Sequence, residues 1–164
     1  MKRRILTIVL TVLLLVSTVV APVSASAAAK KVYLLQVTVD GARVRSGSSS
    51  SYEVLTSLKK GSKVFYLNKT KDSFAYIRTA HGIVGYMYKG FLKSYGVTYR
   101  DQVYYCANKS AKVYKKASTS SKRVTTLDKY QHVIVYQTKG SWAYIKTLGG
   151  TGGYVKKSAL KKAS

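Results

Sequence analysis

The chain contains a stretch of about 50 residues twice, and this repeat constrains its fold more than any other feature. The first copy runs from Ala42 to Leu92 and the second from Ala111 to Leu160. The copies align at a spacing of 68–69 residues, with FAYIRT in the first against WAYIKT in the second. A solenoid unit is shorter and cannot fold without its neighbours, whereas a unit of this length can. The sequence therefore predicts two small domains in tandem.

Short alternating segments within each copy predict strands. In the first copy, apolar residues alternate with basic ones up to Arg45, and both Phe74–Thr79 and Ile83–Met87 are rich in aromatic and β-branched residues. Gly61 provides the positive φ that a tight turn requires. No segment of the repeats has a helical period with caps. Several short strands at this spacing predict an all-β fold of two small barrels.

The repeats divide the chain into four parts. We predict a first barrel over 32–93, a linker over 94–102 and a second barrel over 103–162, preceded by a signal peptide over 1–27. The linker is aromatic, so the alternative that it pairs as a strand stays open. We interpret the serine-rich run 47–51 as a solvated loop.

The N-terminal segment has the features of a secretory signal peptide. Basic residues at positions 2–4 precede an apolar run from Ile5 to Val20, and Ala25-Ser26-Ala27 fits a cleavage site. The alternative is an uncleaved membrane anchor, although 16 residues are few for a span of about 20. The sequence thus predicts a secreted protein, extracellular or associated with the cell wall, with no transmembrane span in the mature chain.

The charge of the chain is strongly positive. Of its 29 basic residues three lie in the signal segment, and five acids oppose the rest, so the mature chain carries a net charge of +21. Such an excess attracts polyanions over long range and makes binding sensitive to salt. Outside a cell, candidate polyanions are phosphate-bearing wall polymers, anionic lipid surfaces and shed nucleic acid.

Three motifs carry a resemblance to a known family. They are the run ARVRSGSSSSYEVLTSLKKGSKV at 42–64, the aromatic segments FAYI and WAYI, and a glycine-tyrosine pair at positions 85–86 and 153–154. Together they resemble the bacterial SH3 (SH3b) domain family over about 50 residues, twice. The second copy departs from the pattern at Tyr130, which stands where the turn glycine is usual, and the first has Ser48 where proline is usual.

The resemblance implies a specific fold and role. Two small SH3-like β-barrels in tandem would follow the signal peptide. Modules of this family are most often non-catalytic targeting domains of exported bacterial proteins, similar to those that dock wall hydrolases onto peptidoglycan through stem peptides or cross-bridges.

The residues that catalysis would need are scarce. His81 and His132 have no carboxylate or cysteine beside them in sequence, and the single cysteine, Cys106, lies in none of the usual nucleophile contexts. We expect a small buried or idle thiol there. Five scattered acids form no paired carboxylate site, and no metal-ligand spacing occurs. The sequence predicts a protein that is not an enzyme and that uses no cofactor and no metal.

Aromatic side chains are the best candidates for ligand binding, because their flat faces suit sugars and small peptides. Alternation places Val64, Ile77 and Leu92 toward the core and leaves the intervening rings outside. The predicted ligand-binding residues are Tyr52, Phe74, Tyr76, Tyr86, Tyr88, Trp142, Tyr144 and Tyr154. The alternative is that many of them fill a small core, and Trp142 and Tyr154 are the two that we least expect at a free surface.

Three functions remain open at this point. The first is an exported, non-catalytic cell-wall protein whose two modules bind peptidoglycan, with avidity from their linkage. The second is an electrostatic binder of anionic polymers such as teichoic acid or nucleic acid, without specific nucleic-acid recognition. The third is an interaction protein that holds or regulates a wall hydrolase.

Overall fold

The computed structural model describes residues 30–163, so the predicted signal peptide over 1–27 lies outside the described residues. Residues 30–163 form an all-β protein of fourteen strands with three short 3-10 turns and no α-helix. The strands make two seven-stranded antiparallel sheets, and this confirms the predicted tandem all-β fold.

Barrel 1 consists of the first seven strands. These are β1 (Lys31–Val37), β2 (Ala42–Arg45), β3 (Val54–Leu58), β4 (Lys63–Lys71), β5 (Phe74–Arg78), β6 (Val84–Tyr88) and β7 (Leu92–Tyr99). Their order in the sheet is β3-β2-β6-β5-β4-β1-β7. Val37, Val44, Val64, Ile77 and Met87 from five different strands meet in one buried cluster, because alternate residues of each strand face the same side. The sheet therefore curls around a single core.

Barrel 2 repeats this plan. Its strands are β8 (Val103–Cys106), β9 (Ser110–Tyr114), β10 (Arg123–Asp128), β11 (His132–Lys139), β12 (Trp142–Thr147), β13 (Gly152–Lys156) and β14 (Leu160–Lys162). Their order, β10-β9-β13-β12-β11-β8-β14, is the order of barrel 1 shifted by seven strands. Cys106, Val113, Leu127 and Ile145 are fully buried in its core. The thiol is thus a packing group, as the sequence analysis expected.

The segment between the repeats forms a strand and a turn. Residues 92–99 make up β7, which pairs antiparallel with β1 from Val37↔Leu92 to Lys31↔Tyr99. A 3-10 turn at Arg100–Gln102 then leads directly into β8. Most of the segment predicted as a linker is therefore paired, which corresponds to the alternative interpretation of it as a strand. The limits of the two domains and of the cleaved segment stay predictions.

The two barrels share a small apolar contact, which we call the seam. Leu34 and Phe65 of barrel 1 pack with a group of buried residues from barrel 2, namely Val103, Ile134, Leu148 and Ala163. A backbone hydrogen bond crosses the seam, because the N–H of His132 donates to the carbonyl of Ala80 at 2.7 Å. The rings of Phe65 and His132 lie 5.9 Å apart. Burial of these side chains holds the barrels against each other.

Candidate functional site

Barrel 1 has an open groove of about 920 Å³ on one side of its sheet, which we call the barrel-1 groove. It lies between the start of β2, the serine-rich loop after β2, the β4–β5 turn and the end of β6. Its lining consists of Val39, Asp40, Gly41, Ala42, Arg43, Arg45, Ser48, Ser49, Ser50, Asp72, Ser73, Phe74, Tyr88 and Phe91. A volume of this size accommodates a short peptide or a sugar unit.

Three aromatic rings form one wall of this groove. Phe74 and Tyr88 are directly paired across β5 and β6, and their ring centroids lie 5.9 Å apart at 69°. Tyr88 also packs edge to face with Phe91 at 5.2 Å. Edge-to-face packing fixes the rings against one another. Tyr88 remains 43% exposed, so much of its surface is free for a ligand.

Charged groups of both signs line the same groove. Asp40 and Asp72 are two of only five acids in the whole chain, and they lie here with Arg43 and Arg45. The Asp40 carboxylate accepts a hydrogen bond from the Lys60 N–H at 3.0 Å. The lining therefore has a formal charge of zero within a barrel of strongly positive charge.

The serine-rich loop contributes to the groove. The Ser48 hydroxyl lies 3.3 Å from the Asp72 carboxylate and donates to it, which joins the loop to the β4–β5 turn. Arg45 donates to the Tyr52 carbonyl at 2.7 Å. Residues 47–51 form a loop, as the sequence analysis predicted; Gly47 within it is buried, and Ser48–Ser50 line the groove.

The eight aromatic residues predicted to bind ligand do not form one site. Phe74 and Tyr88 line the barrel-1 groove, whereas Tyr52 covers Gly47 on the loop and is 51% exposed. Tyr76 and Tyr86 share the outer face of β5 and β6, where their centroids lie 4.8 Å apart, but they do not line the groove.

The aromatic residues of barrel 2 have a different setting. Tyr144 and Tyr154 pair as Tyr76 and Tyr86 do, with centroids 5.2 Å apart. Trp142 is only 9% exposed, in agreement with the expectation that it would not be a free surface. The Lys156 ammonium lies 4.2 Å from the centroid of the Trp142 ring.

Barrel 2 has a groove at the corresponding place, which we call the barrel-2 groove. It has a volume of about 350 Å³. Its lining consists of Asn108, Ser110, Ala111, Lys112, Tyr114, Thr119, Val155, Lys156, Ser158 and Ala159. Most of these residues align in the repeat with lining residues of the barrel-1 groove: Ala111 with Ala42, for example, and Ala159 with Phe91.

Each histidine contacts the other barrel: His132 packs on Phe65 at the seam, and the exposed His81 approaches Asp128. His132 is buried, and its Nδ1 donates to the Tyr130 carbonyl at 2.8 Å. Burial lowers the pKa of His132, the hydrogen bond to Tyr130 opposes this, and the positive charge of Arg78 lowers it further. His81 Nε2 lies 3.9 Å from an Asp128 carboxylate oxygen, a contact that the sequence did not indicate.

The remaining candidates for chemistry are structural. Burial raises the pKa of Cys106, whose thiol donates to the Asn108 carbonyl at 3.5 Å, so a thiolate is disfavoured. Among residues 30–163, no three His, Cys, Asp or Glu side chains converge as metal ligands do. The described part of the chain also includes no helix with the length and apolar character needed to cross a membrane.

Sequence reasoning missed the polar half of the barrel-1 groove. It named Phe74 and Tyr88 but not Asp40, Asp72 or Phe91. The small number of acids could have pointed to Asp40 and Asp72, because a chain with so many basic residues has only five carboxylate side chains.

Comparisons with known proteins found one matching family and several similar solved structures. The family described as "Bacterial SH3 domain" matches twice, at residues 40–93 and 109–161. Among solved structures, the chain is similar to NlpC2 from Trichomonas vaginalis, with 16% identity and a TM-score of 0.33 over 80% of this chain and 48% of that one. It is also similar to NlpC1 from the same organism, with 18% identity and a TM-score of 0.33 over 85% and 49%. The chain thus spans about half the length of these structures. A comparison with curated proteins gave no match.

Proposed function

The chain belongs to the bacterial SH3 domain family, and on that basis we propose that it is an exported, non-catalytic cell-wall protein that binds the peptide part of peptidoglycan in the barrel-1 groove. The second barrel and the positive charge would hold the protein near the wall while the groove recognises its ligand. Linking two weak sites in this way raises the effective concentration of the second.

The composition of the barrel-1 groove is the observation that carries this proposal. Stem peptides of peptidoglycan combine carboxylates, amines and small apolar side chains. The groove offers the complements of all three: Arg43 for carboxylates, Asp72 for amines, and the ring of Tyr88 for methyl groups. A neutral glycan would use neither charge, whereas a peptide would pair with both, so a peptide fits the groove better.

A non-catalytic role is supported by the surroundings of the reactive side chains. The Cys106 thiol is buried in the core of barrel 2, and His132 is packed in the seam. A nucleophile must reach its substrate, and a base must contact the nucleophile. These two residues satisfy neither requirement, so binding rather than bond cleavage is the activity that we propose.

The net charge supports attraction to the wall as a whole. The mature chain, at +21, would accumulate near polymers that carry phosphate or carboxylate before the groove finds a peptide. This part of the interaction weakens as salt is added, whereas contacts inside the groove are screened less.

Sedimentation with insoluble peptidoglycan, stripped of its phosphate polymers, tests the proposal. Binding would be measured at low salt and at about 0.5 M salt, where the Debye length is about 4 Å. We expect retention at high salt. Replacing Tyr88 or Phe74 with alanine should weaken binding about tenfold, because each ring provides contact area in the groove.

Tyr136→Ala is the matched control. Tyr136 lies on β11 outside both grooves and is 53% exposed, so its loss removes an exposed tyrosine without touching the proposed site. Equal losses in Tyr88→Ala and Tyr136→Ala, or binding that disappears in salt, would contradict recognition by the groove.

A further inference from the structure

The two grooves occupy equivalent places in the two barrels but differ in charge. Phe74 pairs across the strands with Tyr88 in barrel 1, and Trp142 pairs with Lys156 in the same way in barrel 2. The position of Asp40 is taken by Lys109, and Gly140 stands in the place of Asp72 in the two-residue turn before the fifth strand of the barrel. The lining of the barrel-1 groove is neutral in sum, whereas that of the barrel-2 groove carries two lysines and no carboxylate.

The aromatic wall of barrel 1 has no free counterpart in barrel 2. Ala159 replaces Phe91, and the ring of Trp142 is nearly buried beneath the Lys156 ammonium. Tyr114 packs perpendicular to Trp142 at 5.8 Å. The half-buried ring of Tyr114 is the one aromatic ring in the lining of the barrel-2 groove, so this groove offers less free ring surface than the barrel-1 groove for stacking with a peptide side chain or a nucleic-acid base.

Lysines and hydroxyl groups take the place of the aromatic wall. Lys112 lies on the outer face of β9 beside Ser110, and Thr119 and Ser158 lie on neighbouring segments of the lining. Lys156 is held in place, because its ammonium contacts the Trp142 ring and lies 3.4 Å from the Ser141 hydroxyl. A fixed ammonium loses less entropy when it binds an anion than a mobile one does.

We propose that the barrel-2 groove binds a polyol phosphodiester polymer, with Lys112 and Lys156 on the phosphates and the hydroxyl groups of Ser110, Thr119 and Ser158 on the polyol. The two barrels would then bind different components of the same surface, a peptide in barrel 1 and a phosphate polymer in barrel 2. This goes beyond the proposed function, because it concerns a second ligand at a second site.

The charges around the barrel-2 groove favour an anionic ligand over a peptide that carries both positive and negative groups. Residues 103–163 contain thirteen lysines and arginines and a single acid, Asp128. Asp128 does not line the groove, and its carboxylate contacts His81 at 3.9 Å. A phosphate in the groove thus meets cations within reach and no lining carboxylate to repel it.

Titration with a soluble poly(glycerol phosphate) tests this site without any peptidoglycan present. Trp142 is the only tryptophan in the chain and lies beside Lys156, so its fluorescence reports on this groove. Calorimetry gives the affinity independently. We expect saturable binding with a change in tryptophan fluorescence, and a loss of at least about tenfold in affinity in the double variant Lys112→Gln, Lys156→Gln, because both replaced groups make charge-assisted hydrogen bonds.

The double variant Lys161→Gln, Lys162→Gln is the matched control, since it removes the same charge from two exposed positions of β14 outside the groove. We expect it to lower the affinity less than about threefold. Equal losses in the two double variants would overturn the proposal and leave charge density as the cause. A single-stranded oligonucleotide with the same number of phosphates should bind more weakly, because the groove offers little ring surface for base stacking; equal affinity would overturn the assignment to polyols.

Discussion

Tyr130 occupies in barrel 2 the turn position that Gly61 occupies in barrel 1, and both residues have a positive φ, 64° and 87°. Their N–H groups make the same hydrogen bond, to the last residue of the first strand of their own barrel: Gly61 to the Val37 carbonyl at 2.9 Å and Tyr130 to the Cys106 carbonyl at 2.8 Å. The turn thus keeps its shape without glycine. A non-glycine residue in this conformation costs about 1–2 kcal/mol, which the surrounding barrel offsets.

Replacing Gly61 with alanine should destabilise barrel 1 by about 1 kcal/mol. A Cβ at this position would meet no atom within 4 Å, so the cost comes from the backbone conformation alone. Chemical denaturation would measure the free energy of unfolding. Gly96→Ala is the control, because a Cβ there is equally free of contacts and the φ of Gly96 is not in the left-handed region. A loss in Gly96→Ala as large as in Gly61→Ala would contradict the conformational explanation.

Gly85 should tolerate alanine less well than Gly61 does, for a different reason. A Cβ on Gly85 would lie 2.5 Å from the Arg45 carbonyl oxygen and 2.9 Å from a Val44 methyl group. Because β2 crosses β6 at this point, the strands must separate to make room, and we expect a loss of about 2–3 kcal/mol in the free energy of unfolding.

The same close approach recurs at Gly153, whose Cβ would lie 2.8 Å from the Tyr114 carbonyl oxygen. Gly153→Ala should therefore be destabilising as well. Wild-type stability in either alanine variant would show that the strands do not approach as closely as described. This contact gives a physical reason for the glycine that precedes tyrosine in both repeats.

Lowering the pH below about 6.5 should weaken the protein through His132. The pKa of this histidine is lowered from its ordinary value of 6.5 in the folded state, mainly by burial, so the unfolded chain binds a proton more readily. The contribution of His132 to the free energy of unfolding is therefore fully present above pH 6.5. It decreases as the pH falls from there toward the folded pKa, by up to about 1.4 kcal/mol per pH unit.

Denaturation curves between pH 5 and 8 would measure this effect. His132→Asn removes the titrating ring, and its amide nitrogen, attached at the same carbon as Nδ1, can still donate to the Tyr130 carbonyl. We expect this variant to lose part of the slope below pH 6.5. An unchanged slope would mean that the acid sensitivity arises elsewhere.

The sequence predicted what depends on local pattern. Alternation along β5 and β6 put Ile77 inside and Phe74 and Tyr88 outside, and the repeat predicted two barrels of one design. The direction of each side chain follows from the alternation of neighbouring residues in a strand, and the number of barrels follows from the spacing of the repeat in the sequence.

Contacts between distant segments could not be predicted in this way. Ser48 and Asp72 meet only because the sheet brings the loop after β2 beside the β4–β5 turn. The seam depends on packing between the barrels, where His132 meets Phe65. No periodicity carries that information, so the polar half of the barrel-1 groove and the role of His132 emerged only from the structure.

The most direct test of the central claim is a map of backbone amide shifts by nuclear magnetic resonance during titration with a soluble peptidoglycan stem peptide. Binding in the barrel-1 groove should shift the amides of three segments, 40–50, 72–74 and 88–91, together and saturably, and Tyr88→Ala should weaken the response. Shifts confined to barrel 2 or to the Tyr76–Tyr86 pair would contradict the claim. So would the absence of shifts at a peptide concentration that fully displaces the protein from insoluble peptidoglycan.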